Sequence, residues 1–278
     1  MLLAALSFAI MGTLVKLGSA KFSTAELVFY RSFFGLIVIF IVARQQCLSL
    51  KTPVLPKQMI RATLGFISLL MFFYAISYLD LATAITLNYT SPLFMASMFC
   101  VTLHERPRKM LIFAIILGFI GVILLLKPSF HADKLVAGSL GLLSGATAGY
   151  VYVQVIQLGR IGEPDWRTVF YFTLVCTLGG AAWMLGVGFH LINFKDAVIL
   201  LSLGLAGTIG QLSMTRAYRT GNPLVVGSLA YVTVILASIF GVLIGDPAIS
   251  YDRWLAIIVI IIAGVISVFS GNKGINNL

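Results

Sequence analysis

The sequence predicts an all-α integral membrane protein, with ten transmembrane helices in two inverted-topology five-helix repeats around a central cavity. Three observations predict it. Of the 278 residues, 60% are hydrophobic and only 10% are charged, and the mean hydropathy is +1.04. A soluble domain carries roughly 25% charged residues, so lipid must solvate most of this chain. The apolar residues also fall into ten runs, each near the roughly 20 residues that a helix needs to span a bilayer. Finally, the first five runs resemble the last five in order.

The first run, Leu2–Ala20, has no basic segment before it and is interrupted by Lys16. It reads as a membrane helix, although Gly18-Ser19-Ala20 imitates a signal-peptidase site. Thr24–Ala43 follows at once. Met59–Leu79 and Leu81–Leu103 meet at Asp80, a residue suited to cap the fourth helix. Lys109–Leu126 is the fifth run, Leu135–Gln157 the sixth, Thr168–Gly188 the seventh and Ala197–Tyr218 the eighth. Asn222 and Pro223 supply an N-cap and a first-position proline for Pro223–Gly245, and Trp254–Ser270 is the tenth. Barrel strands alternate over about 10 residues, and these runs do not. The predicted units are 1–128 for the first repeat, 134–271 for the second and 272–278 for a cytoplasmic tail.

The net charge of +10 sits in loops rather than on a stripe, so it points to membrane topology and not to nucleic acid. With the start of the chain inside, the inner face holds Arg44, Lys51, Lys57, Arg61, Arg106, Arg108, Lys109, Arg160, Arg167, Arg216, Arg219 and Lys273. The outer face holds half as many: Lys16, Lys21, Lys127, Lys134, Lys195 and Arg253. The expectation is a multi-pass protein of a bacterial-type inner membrane with both termini cytoplasmic. Cys47, Cys100 and Cys176 lack metal or disulfide spacing and read as small apolar fillers.

The internal repeat is specific. Leu3, Leu6, Ser7, Ala9 and Gly12 recur as Leu140, Leu143, Ser144, Ala146 and Gly149. Gly65, Ala75, Leu87 and Tyr89 recur as Gly207, Ala217, Leu229 and Tyr231, and Gly121-Val122-Ile123 as Gly264-Val265-Ile266. An odd number of spans per half inserts the second half upside down. Inverted repeats are a signature of secondary transporters, whose site lies near the midplane between the halves.

The segments Tyr74-Ala75-Ile76-Ser77-Tyr78-Leu79, Ala84 to Asn88, Tyr89-Thr90-Ser91-Pro92-Leu93 and Leu103-His104-Glu105-Arg106, with Glu26 to Ser32 and Gly118 to Pro128, resemble the EamA family of the drug/metabolite transporter superfamily. The resemblance covers nearly the whole chain. It implies the ten-helix inverted repeat and the transport of small metabolites. In the second half Asp246 stands where the family often has a glutamate like Glu105, and the ninth run has no counterpart of Pro92.

Ionisable groups in hydrocarbon are functional candidates by default. Arg31 lies about two turns into the second helix and suits either a structural role, bonded to helix carbonyls or snorkelling, or the binding of an anion or a coupling carboxylate. Lys16 and Glu26, near the outer ends of helices one and two, are expected to pair with each other or to snorkel. Glu105 is a candidate inner gate, and Pro92 a candidate hinge. Thr147, Tyr150, Gln154 and Gln157 share one face of helix six. Pro92 cannot donate to the carbonyl of Asn88, which is thereby freed beside Ser91. The expected cavity residues are Asn88, Tyr89, Tyr150, Gln154, Gln211 and Tyr231.

Enzyme motifs fail. After His104-Glu105 the zinc-protease spacing needs a histidine and finds Arg108, and Ser144 is one place late for a nucleophile elbow. No phosphate-binding glycine loop is present. The expectation is a carrier with no metal or cofactor, running on a proton or by exchange and moving a small polar metabolite such as an amino acid or a derivative. A channel, or a non-transporting membrane enzyme or scaffold, is the alternative.

Overall fold

The computed structural model describes residues 1–102, 109–126, 132–221, 223–247 and 249–270, and among them all regular structure is helical. The helices are α1 (Leu2–Gly18), α2 (Thr24–Gln45), α3 (Leu55–Tyr78), α4 (Leu81–Asn88), α5 (Ser91–Thr102), α6 (Lys109–Leu126), α7 (Ala132–Arg160), α8 (Asp165–Val187), α9 (Phe194–Thr220), α10 (Pro223–Ala230), α11 (Val232–Leu243) and α12 (Tyr251–Ser270). Helices α2, α3, α7, α8 and α9 and the α10–α11 run are long and apolar enough to cross a membrane. Their outer faces agree. Phe33, Ile37, Phe40 and Ile41 form an exposed stripe on α2, and Ile112, Phe113, Ile116, Phe119 and Ile120 one on α6. Stripes of this size on a monomer mark contact with lipid or a partner. With the apolar helices, they make this a multi-pass membrane protein.

Two predicted runs are broken. Leu81–Leu103 becomes α4 and α5, separated at Tyr89-Thr90, and Pro223–Gly245 becomes α10 and α11, separated at Tyr231. The first break follows from Pro92, whose ring nitrogen carries no hydrogen. The ladder tightens before it: the amide of Thr90 donates to the Leu87 carbonyl (3.2 Å) and that of Leu93 to the Thr90 carbonyl (2.9 Å). Pro92 then sits in the first turn of α5, where an amide would have no helical partner anyway. Tyr231 keeps right-handed angles (φ −65°, ψ −16°), so the second break is a local fault in the ladder with no proline behind it.

The two halves of the chain interleave. α1 packs on α9, α2 on α8, α3 on α7 and α6 on α12. Helix α7 runs directly over the first break. A Cβ at Gly145 would stand 2.6 Å from the Leu87 carbonyl oxygen and 3.0 Å from that of Asn88, so only glycine permits the approach. The same surface ties the break down: the Asn88 amide donates to the Ser144 hydroxyl (2.9 Å), which donates to the Gly141 carbonyl (2.6 Å).

Gly145→Ala is expected to cost about 1–3 kcal/mol in forced repacking, read as a lower apparent melting temperature in detergent. Unchanged melting would mean that α7 does not lie against the break.

Candidate functional site

Beside the first break lies a cavity. Its apolar wall is built by Phe8 and Met11 of α1, Phe172 of α8 and Met214 of α9. Its polar groups are Arg31 of α2, Arg61 and Ser68 of α3, Asn88 of α4, Tyr89 at the break, Tyr152 of α7, Gln211 of α9 and Thr233 of α11. Elements from both halves of the chain thus contribute.

The arginines dominate the chemistry. Arg31 is 2% exposed and Arg61 1%. Arg31 reaches the Gly207 carbonyl at 3.4 Å and the Gln211 side-chain oxygen at 3.5 Å, both long for hydrogen bonds. Gly207 makes this possible, since a Cβ there would stand 2.7 Å from the Arg31 Nε. Both guanidiniums lie against the Phe172 ring, 5.1 Å (Arg31) and 4.3 Å (Arg61) from its centroid. On each of them Nε and Nη1 have no hydrogen-bond partner. The lining contains no aspartate or glutamate.

Of the residues expected at the cavity, Asn88, Tyr89, Gln211 and Arg31 stand in its lining, and Tyr150, Gln154 and Tyr231 do not. The reason on α7 is angular. Ala148, Val151 and Tyr152 face the cavity, and at 100° per residue this turns Tyr150 and Gln154 away from it. Tyr231 is buried with its hydroxyl against Gly264 of α12, which leaves no room for a Cβ there. Arg61 is a correction: the charge pattern counts it with the inner-loop cations, whereas it is enclosed in α3. Its signal was available, because Arg61 already stands inside the apolar run that begins at Met59. Tyr152 and Thr233 carry no comparable signal, since a single hydroxyl in an apolar run marks no face.

A second polar cluster closes the end of the bundle that bears the α1–α2 and α3–α4 loops. Two capping boxes are cross-linked reciprocally there. Ser23 and Glu26 cap α2, and Glu26 accepts from the His190 amide (2.7 Å) and lies 3.0 Å from its Nδ1. Asn193 and Asp196 cap α9, and Asp196 pairs with Lys21. Lys16 donates to the Leu79 carbonyl and approaches Asp246 at 4.0 Å. Lys16 and Glu26 therefore do not pair with each other; each finds its partners elsewhere, Glu26 across the two halves. Asp80 makes no cap for α4 and pairs with Arg253, while Asp246 accepts from the Leu81 amide (2.8 Å). At the opposite end Gln58 donates to Glu163 (3.0 Å), and Arg167 to the Ser49 carbonyl (2.9 Å). Glu105, the tail at 272–278 and the Asn222 cap lie outside the described residues. Among the described residues no cluster of histidine, cysteine or acidic groups has metal-binding proximity.

Comparison with known proteins adds the following. Residues 1–127 match the model of the EamA-like transporter family. The chain is 29% identical over 239 residues to the pseudopaline exporter CntI of Pseudomonas aeruginosa, covering 86% of this chain and 84% of that one. It is 27% identical over 274 residues to an uncharacterized transporter of Helicobacter pylori, covering 95% and 92%. It is 22% identical over 219 residues to the riboflavin transporter of Brucella anthropi, covering 77% and 76%. A solved crystal structure superposes with a TM-score of 0.69 over 98% of both chains at 16% identity, which is a likeness of fold.

Glu26→Ala removes the carboxylate that accepts the Ser23 amide in the α2 capping box together with the His190 anchor, and is expected to cost about 1 kcal/mol. Glu26→Gln keeps an acceptor and should lose less. Equal melting temperatures for both variants and the parent would remove the cap from the account.

Proposed function

We propose that this chain, whose residues 1–127 match the model of the EamA-like transporter family, is a secondary transporter carrying a small polar metabolite across a bacterial-type inner membrane by alternating access. The observation that carries this reading is the polar cavity beside a helix broken at Tyr89-Thr90, with a second break at Tyr231. Tyr89 and Tyr231 are counterparts in the internal repeat. Discontinuous helices at corresponding positions of two halves are where secondary transporters bind substrate.

The inverted repeat itself is part of the proposal. Its support is that the packing survives exchange of the halves. With α1 matched to α7, α2 to α8 and so on to α6 with α12, the α1–α9 contact becomes α7–α3, and the α2–α8 and α6–α12 contacts map onto themselves. A pseudo-two-fold axis relates ten membrane segments, 1–128 to 134–271. Both termini face the cytoplasm, by the loop charges. The end latched through Glu26–His190, Lys21–Asp196, Asp80–Arg253 and Lys16–Asp246 is then the outer gate, shut in this conformation. Glu105, the repeat counterpart of Asp246, takes the inner gate. Asn88, Tyr89 and Gln211 bind the substrate, and Arg31 sets the charge of the site. The relatives are named for different cargoes, pseudopaline and riboflavin, so the cargo here is set by this cavity.

Proteoliposomes loaded with a mixture of amino acids, carboxylates and nucleosides should show saturable counterflow of one compound class. Asn88→Ala and Gln211→Ala should each slow it by about tenfold or more, the scale of losing one buried hydrogen bond to substrate. Gln154→Ala, outside the lining, should leave it within about twofold. Equal effects from all three would remove the cavity assignment, and no counterflow by correctly inserted protein would remove the carrier. Orientation has its own check. Cys47 is exposed in the α2–α3 loop, so a membrane-impermeant maleimide should spare it in intact cells and label it in inverted vesicles. The reverse pattern would turn the topology over.

A further inference from the structure

Arg31 and Arg61 are the feature that the carrier reading leaves unexplained. A buried unpaired charge is costly, and two of the same sign against one ring are more so. The cavity lining supplies no carboxylate to either of them. The Phe172 ring face offsets part of the cost. The two contacts of Arg31, at 3.4 and 3.5 Å, offset little. Four guanidinium nitrogens, Nε and Nη1 of each arginine, remain as buried donors with nothing to receive them. Both side chains line the same cavity, which opens between the two halves of the chain.

We propose that this cavity is an oxyanion site, in which Arg31 and Arg61 together receive a carboxylate or phosphate group of the transported solute. The proposal rests on the carrier reading and names its substrate class. Guanidinium donors match planar carboxylate and tetrahedral phosphate oxygens, and a buried pair holds them far more strongly than a solvated one. The anion supplies the charge that the fold omits. Asn88, Gln211 and Tyr152 are left to hydrogen-bond the rest of the solute, and the Phe8–Met11 wall takes its apolar part. A cation of the same size meets two like charges and is refused. The cost of the empty site also has a use, because a carrier that is unfavourable when empty binds its solute with the energy released on pairing.

The test uses the full chain in phosphatidylcholine nanodiscs, where no anionic headgroup competes, at fixed ionic strength with chloride as the reference. The probes are inorganic phosphate and succinate, with ethylenediamine as the cation, and the readout is the apparent melting temperature. At least one oxyanion should stabilise the parent and ethylenediamine should not. Arg31→Gln and Arg61→Gln should each move the midpoint of that effect by about tenfold or more. Without ligand, Arg61→Gln should melt no lower than the parent, because it removes an unpaired buried charge; a purely structural arginine would lower it. Should Arg61→Gln not fold, Arg61→Lys carries the test, with the effect weakened but present. The proposal falls if neither oxyanion stabilises the parent, if ethylenediamine does so equally, or if the glutamine variants respond like the parent. Counterflow is scored separately. Oxyanion binding without counterflow keeps the site and removes the carrier. Counterflow of an uncharged solute that is indifferent to both substitutions keeps the carrier and removes the site.

Discussion

The absence of water from the bilayer interior governs this structure. A backbone or side-chain polar group that water would otherwise satisfy must there find its partner within the protein, or face a cavity. Most of the chain meets the requirement by being helical. The consequential place is where it cannot, at Tyr89-Thr90, because Pro92 withdraws an amide from the ladder. The Asn88 carbonyl, which loses its helical donor, and the neighbouring Leu87 carbonyl are covered by α7, which comes close only because residue 145 is a glycine. Ser144 on the same helix then holds the Asn88 side chain. One imino acid thus explains the break, the glycine opposite it and the placement of Asn88 at the cavity.

The same constraint explains why charge is concentrated at the ends of the bundle. At the α1–α2 end, four acidic and four basic groups meet, and three of the acids, Glu26, Asp196 and Asp246, do more than balance a charge. Glu26 and Asp196 first accept the backbone amides of the cap residues Ser23 and Asn193, and then receive His190 and Lys21 from the loop that opens the other cap. Asp246 caps α4 from a distance. The local act of ending a helix and the tertiary act of joining the two halves use the same carboxylates, so opening this end exposes helix termini as well as separating ions. Partly exposed ion pairs alone contribute little; coupling them to helix termini ties the two halves together at this end.

The two arginines stand against this economy. The ion pairs among the described residues lie near the ends of the bundle. Arg31 and Arg61 are enclosed beside an aromatic ring with donors unfilled. Proteins carry such expense at functional sites and compensate it elsewhere.

What the sequence determined by itself is what depends on composition and on local period. Apolar runs of membrane length, their helical nature and the disturbance expected at Pro92 are properties of short stretches of chain, decided by transfer to lipid and by backbone hydrogen bonding. Arg31, Asn88 and Gln211 were legible because a polar group in an apolar run has few places to go. What only the tertiary structure decided is direction and partnership. The polar face of α7 is real in the sequence, yet the helix is rotated so that Tyr152, not Tyr150 or Gln154, meets the cavity. Arg61 stands inside the apolar run that begins at Met59, but the loop-charge pattern counts it with the inner cations, and only the docking of α8 places Phe172 over it. Glu26 meets His190 rather than Lys16 because α8 and α9 return to the same end from more than a hundred residues away. Rotation about a helix axis and contacts distant in sequence leave no periodic mark, because they are set by which faces fit once the helices pack.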